Sequence, residues 1–239
     1  MIWTVLNEMQ LIKQKKSIIP SCDVESLEKL NDLVKSTCNV KGIGAYKIGF
    51  EIVIPFGMKE VVKTIRQHTK LPIIYDHQKA ATDIPDMGEK FVKACKGVDS
   101  IIFFPQAGPE TEKAWIKAAQ KLSMHVIVGG EMTHPGYLKE TGGFIDDDAP
   151  FKIYDIAASL GVSDFVVPGN KPEKVLLYDS AIKSKIKNPV YYSPGLVAQG
   201  GKISDLAKKL ERWHAIVGRG IYESKDMEKA AEEMVKEIL

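Results

Sequence analysis

The chain has 239 residues, 44% hydrophobic and 27% charged, enough to bury a large core and too apolar for a disordered polypeptide. Its 33 Lys and Arg nearly balance 31 Asp and Glu, and a formal charge of +2 gives no overall footprint for nucleic acid or an anionic membrane. Three cysteines (Cys22, Cys38 and Cys95), an odd number without CxxC spacing, argue against a disulfide framework or a thiolate zinc site.

In chain order, residues 1–16 read as an amphipathic helix. Asn7, Glu8 and Gln10 stand where a signal peptide needs an apolar run, and no stretch reaches the ~20 apolar residues of a membrane span, so a cytoplasmic protein is expected. Short, continuously apolar runs then begin near Ser17, Ala45, Leu71, Ser100, His125, Asp164, Pro189 and His214. Continuous rather than alternating runs are the mark of parallel strands covered on both faces. The spacing leaves room for one helix between each pair. Asp23 is positioned to cap the first of these helices, and Pro109 to open PETEKAWIKAAQKL. Eight βα units predict a (β/α)8 TIM barrel over residues 1–239 as one domain, the extra N-terminal helix plugging its bottom or packing outside. The fifth unit is longer by THPGYLKETGGFIDDDAP, a loop expected on the active-site face.

In such a barrel the chemistry sits where strands end. The first strand runs into Asp23, the second carries Lys47, and the third leads into DHQKAATDIPDMG with Asp76, Lys79 and Asp83. Two cations and two anions there sum to zero charge with strong internal fields. Taken singly, each also reads as part of a structural ion-pair network, and Asp83 as a helix cap before Pro85. After the seventh strand SPGLVAQGG supplies Gly195, Gly200, Gly201 and Gln199, and the eighth ends at Gly218 and Arg219. Exposed amides beside an Arg at that place in a barrel point to a phosphate site. The five histidines lack metal-ligand spacing, and Cys22 reads as a buried structural thiol.

These residues, taken in order, resemble the orotidine 5′-phosphate decarboxylases. The likeness rests on SCD at Asp23, KIG at Lys47, the Asp76–Lys79–Asp83 cluster before Ile84-Pro85, EMTHPG with Thr133, SPGLVAQGG, and VGRGIY. The resemblance implies cofactor-free and metal-free decarboxylation of orotidine 5′-monophosphate to UMP. Lys47, Asp76, Lys79 and Asp83 would form a charged tetrad, with Lys79 protonating C6. Asp23 and Lys47 would contact the ribose, Thr133 the pyrimidine edge, and Pro194, Gly195, Gln199, Gly200, Gly218 and Arg219 the phosphate side. It also implies a homodimer in which Asp83 and Ile84 complete the neighbouring site. The cluster is one residue longer in each interval than the family's DxKxxD, so the third strand must end early or bulge near His77 and Gln78. Two alternatives stay open: a Mg2+-dependent sugar-phosphate decarboxylase or aldolase of the same suprafamily, and an inactive nucleotide-binding barrel.

Overall fold

The apolar runs fold as β1 (Lys16–Pro20), β2 (Tyr46–Gly49), β3 (Ile73–Asp76), β4 (Ser100–Phe103), β5 (His125–Gly129), β6 (Asp164–Val166), β7 (Val190–Ser193) and β8 (Trp213–Val217). Each begins within two residues of the position expected from its apolar run. The computed structural model describes residues 10–77, 80–196 and 203–238. All ladders are parallel and run β1-β8-β7-β6-β5-β4-β3-β2. Bridges Ile18–Ile43 and Ser21–Lys47 join β1 to the β2 segment, with Cys22 N donating to Lys47 O at 2.7 Å, and so close the barrel.

The helices between strands are α1 (Leu27–Thr37), α2 (Phe50–Phe56), α3 (Met58–Arg66), α4 (Gly88–Ala94), α5 (Pro109–Lys121), α6 (Ala149–Ser159), α7 (Pro172–Lys183) and α8 (Ile203–Ala207). A short α9 (Arg219–Tyr222) and α10 (Met227–Ile238) follow β8. Among the described residues no helix is long and apolar enough to cross a membrane. Pro109 opens α5 as expected, but Asp23 does not cap α1. Ser26 does, accepting from Lys29 N at 3.2 Å, which leaves the Asp23 carboxylate for the barrel mouth.

The expected N-terminal helix is corrected in part. Residues 1–9 lie outside the described residues, residues 11–15 run as bends, and Lys16 already belongs to β1. Ile12 nonetheless fills the barrel bottom: it is 2% exposed and packs with Ile19, Ala45, Ile74 and Ile127 in the interior cluster. Arg212 Nη2 holds it there by donating to the Ile12 carbonyl at 2.9 Å. The non-helical backbone follows from this bonding, because carbonyls turned toward Arg212 are not available to a helical ladder.

Alternation along each strand separates two cores. Inward residues such as Ile19, Ile102, Val166 and Ile216 fill the barrel, while Ile18, Tyr75, Phe103 and Phe165 pack outward against the helices. Trp213 is the first residue of β8, with its indole turned out to donate to Ser193 Oγ at 2.8 Å. The lower barrel is polar: Ser17 Oγ meets His214 Nδ1 at 2.8 Å, and Asp164 Oδ1 accepts from Tyr192 OH at 2.8 Å and faces His125 Nε2 at 3.2 Å.

Candidate active site

The mouth at the C-terminal ends of the strands holds a cavity of about 280 Å³. Its polar wall is Ser21, Asp23, Lys47, Asp76, Glu131 and Thr133, and its apolar floor is Ile102, Phe104, Val166 and Ile216. Pro194, Gly195, Leu196, Gly218, Arg219 and Tyr222 form the opposite rim. Asp23, Lys47, Asp76, Thr133, Pro194, Gly195, Gly218 and Arg219, expected from sequence, are therefore brought to one concavity. Lys79, Gln199 and Gly200 lie outside the described residues.

Lys47 is the hub. It points inward from β2, only 6% of its side chain exposed, and its Nζ lies 3.4 Å from Asp23 Oδ1 and 3.4 Å from Asp76 Oδ2. Burial alone would pull the ammonium toward deprotonation. The Asp76 carboxylate, then that of Asp23, outweighs burial and holds the lysine above its ordinary value. Ser21 Oγ donates to Asp23 Oδ2 at 2.6 Å, fixing the carboxylate that Lys47 shares. Gly49 explains why a glycine follows two residues after the lysine: a Cβ there would sit 2.9 Å from Asp23 Oδ1, so any side chain would wedge the carboxylate from its partner.

The lengthened third segment is accommodated by ending the strand early. β3 stops at Asp76, which faces inward; His77 leaves the strand and meets the Tyr75 hydroxyl and the Phe91 ring outside the barrel. Ala80 O accepts from Phe104 N at 2.8 Å, and Ala81 adopts φ +71°, a left-handed kink in the longer interval. Asp83 and Ile84 do not enter the cavity of their own chain. Asp83 is exposed, its Oδ1 accepting from Ile84 N at 2.7 Å, while Thr111 Oγ1 and Trp115 Nε1 bond the carbonyls of Asp83 and Ile84.

Arg219 opens α9 and is exposed at the rim. Cys22 is fully buried, and burial, reinforced by Asp23, raises its thiol far above the ordinary value, so it is no nucleophile. Ser21, Glu131 and Tyr222 were not singled out for a role by sequence reasoning. Ser21 was legible: inward alternation from Ser17 and Ile19 continues through Ser21 to Asp23. Among the described residues no cluster of three or more His, Cys, Asp or Glu is arranged to hold a metal.

The chain matches the family model described as "Orotidine 5'-phosphate decarboxylase / HUMPS family" over residues 16–234. It is 35% identical over 199 residues to orotidine 5′-phosphate decarboxylase of Methanocaldococcus jannaschii, covering 82% of this chain and 87% of that protein. It is 32% identical over 231 residues to the enzyme of the same name from Thermococcus kodakarensis, covering 95% and 98%. The crystal structure of the M. jannaschii orotidine 5′-monophosphate decarboxylase complexed with the inhibitor BMP superposes with a TM-score of 0.82 at 29% identity, covering 93% of this chain and 98% of that one.

Proposed function

Because the chain belongs to the orotidine 5′-phosphate decarboxylase / HUMPS family, we infer that it converts orotidine 5′-monophosphate to UMP and CO2, a step of pyrimidine biosynthesis. The observation that carries the reading to particular residues is the buried Lys47, set between Asp23 and Asp76 in the wall of a mouth cavity whose far rim holds Arg219. Relatives of the sugar-phosphate type are not favoured, since the curated relatives reported above bear the decarboxylase name.

The difficulty of the reaction is the electron pair left at C6 when the carboxylate departs, because the ring delocalises it poorly. Asp23, Asp76 and Lys47 together carry one net negative charge. The Lys79 ammonium neutralises it, stabilises the developing carbanion, and supplies the proton to C6. The C6–carboxylate bond breaks, CO2 leaves, the pair on C6 takes the Lys79 proton, and water reprotonates the amine. Asp23 and Lys47 orient the ribose, and Thr133 reads the pyrimidine edge. Pro194, Gly195, Gln199, Gly200, Gly218 and Arg219 hold the phosphate side, whose remote binding energy is expressed at the reacting carbon.

The working form in this reading is a cytoplasmic homodimer, with Asp83 completing the tetrad and Ile84 the wall of the partner's site. Support comes from Ile84 at 60% exposure, Ile54 at 68% and Phe50 at 42%, apolar side chains with no described cover, and from an Asp83 carboxylate that stands outside its own cavity. The test is turnover of orotidine 5′-monophosphate in EDTA, followed by loss of orotate-ring absorbance. Conversion to UMP supports the reading. Tight UMP binding without conversion makes the chain an inactive nucleotide-binding barrel, and turnover of a sugar phosphate only with Mg2+ makes it the other enzyme.

A further inference from the structure

Glu131 has no part in the chemistry above, yet it is a carboxylate facing the cavity from the end of β5 with 1% of its side chain exposed. A buried anion in the wall of a site for an anionic nucleotide needs an explanation, because it repels the ligand unless it is neutralised. The neutralising group is Lys171, 40 residues later in the loop after β6. Its Nζ lies 2.7 Å from Glu131 Oε1 and also donates to the Met132 carbonyl at 3.1 Å. Tyr178 of α7 closes the other carboxylate oxygen with its hydroxyl.

The same loop reaches two expected substrate contacts. Asn170 Nδ2 donates to the Thr133 carbonyl at 3.0 Å, and Gly169 N donates to the Pro194 carbonyl at 2.9 Å. The approach at Gly169 leaves no room for a side chain, since a Cβ would sit 2.6 Å from Pro194 O. Residues 169–171 therefore tie the rim after β5 to the rim after β7, and the Lys171–Glu131 pair anchors the tie.

We propose that Lys171 is a positioning residue for the decarboxylation. It neutralises Glu131 and fixes the loop after β6, so that Thr133 and Pro194 stand at a set separation on two sides of the nucleotide. The inference rests on the reading of the site given above. The titratable groups facing Glu131 are Lys171, Tyr178 and Lys174 from α7 and its entry, Tyr154 from α6, and Tyr137 from the loop after β5. Of these, Lys171 alone is a cation bonded to it, since Lys174 is paired with Glu140.

The experiment measures kcat and KM for orotidine 5′-monophosphate at pH 8 in the wild type, Lys171→Met, Lys171→Arg, Glu131→Gln and the Lys171→Met/Glu131→Gln double variant. Lys171→Met is expected to lower kcat/KM about 10²-fold at pH 8, mainly through KM, because contacts are misplaced and Glu131 is uncompensated. Lys171→Arg should stay within about threefold of wild type, and the double variant should recover to the level of Glu131→Gln, about tenfold below wild type. Lys171→Met within twofold of wild type overturns the proposal, and so does a loss that Glu131→Gln does not relieve. If Lys171→Met does not fold, Glu131→Gln with unchanged kcat/KM overturns it. Absence of wild-type turnover overturns the underlying reading and this inference with it; wild-type turnover with an unaffected Lys171→Met overturns this inference alone.

Discussion

Replacing Lys47 by methionine keeps most of the stem and removes the charge. Each carboxylate lies 3.4 Å from Nζ, which at an effective dielectric of about 20 amounts to about 5 kcal/mol of attraction per contact. Desolvation of the buried ammonium offsets much of the sum, so truncation should cost about 3–5 kcal/mol, as for other buried pairs broken on one side. Lys47 is held above its ordinary value, so its contribution is complete below about pH 10.5 and is lost only as pH rises through the folded value. The stability gap between wild type and Lys47→Met, measured by urea unfolding at pH 8, should therefore be about 3–5 kcal/mol. Turnover of orotidine 5′-monophosphate should fall at least about 10²–10³-fold. A gap below about 1 kcal/mol, or activity within tenfold of wild type, would refute the shared-ammonium account.

Lys79→Ala should abolish turnover while retaining UMP binding by calorimetry; substantial residual turnover removes Lys79 as the proton donor. Arg219→Ala should raise KM about 10–10²-fold with a smaller effect on kcat, the pattern of a lost phosphate contact. Ile84→Asp should give a monomer by sedimentation and lose activity, whereas an active monomer would show the site complete within one chain. Burial lowers the His214 imidazole to about 3, so it stays neutral in the fold while the unfolded chain protonates it. Stability should then fall with pH below about 6.5 by up to about 1.4 kcal/mol per unit. His125 opposes it: burial lowers its pKa, but Asp164 outweighs burial and raises it, so its contribution is present at low pH and lost as pH rises. His214→Gln should flatten the acid limb in chemical denaturation, and an unchanged limb would remove His214 as its cause.

The barrel and half of the site were readable because both follow short-range rules. Continuous apolar runs at βα spacing placed all eight strands, and charged residues at the strand ends placed Asp23, Lys47 and Asp76 around one cavity. Local competition misled the reading at two points. Asp23 and Ser26 are both acceptable helix caps, and only the pull of Lys47 decides that the aspartate is used elsewhere. Residues 10–15 have a helical pattern, but Arg212 claims their carbonyls from the far end of the chain. The Glu131–Lys171 pair had no local signal at all, since nothing in a sequence announces a partner 40 residues away across two barrel loops.

The bond from Arg212 to the Ile12 carbonyl spans 200 residues, and beside it Trp213 N donates to Lys15 O at 2.8 Å. The bottom of the barrel is thus sewn shut by its eighth strand, made long after the first. At roughly 5–20 residues per second, β1 waits on the order of 10–40 s for β8. During that time the nascent sheet has two unpaired edges, each able to pair with another chain. A message cut short before β8 does not encode a smaller barrel. It encodes an open, adhesive sheet, so the segment that carries β8 decides whether the two edges are ever closed.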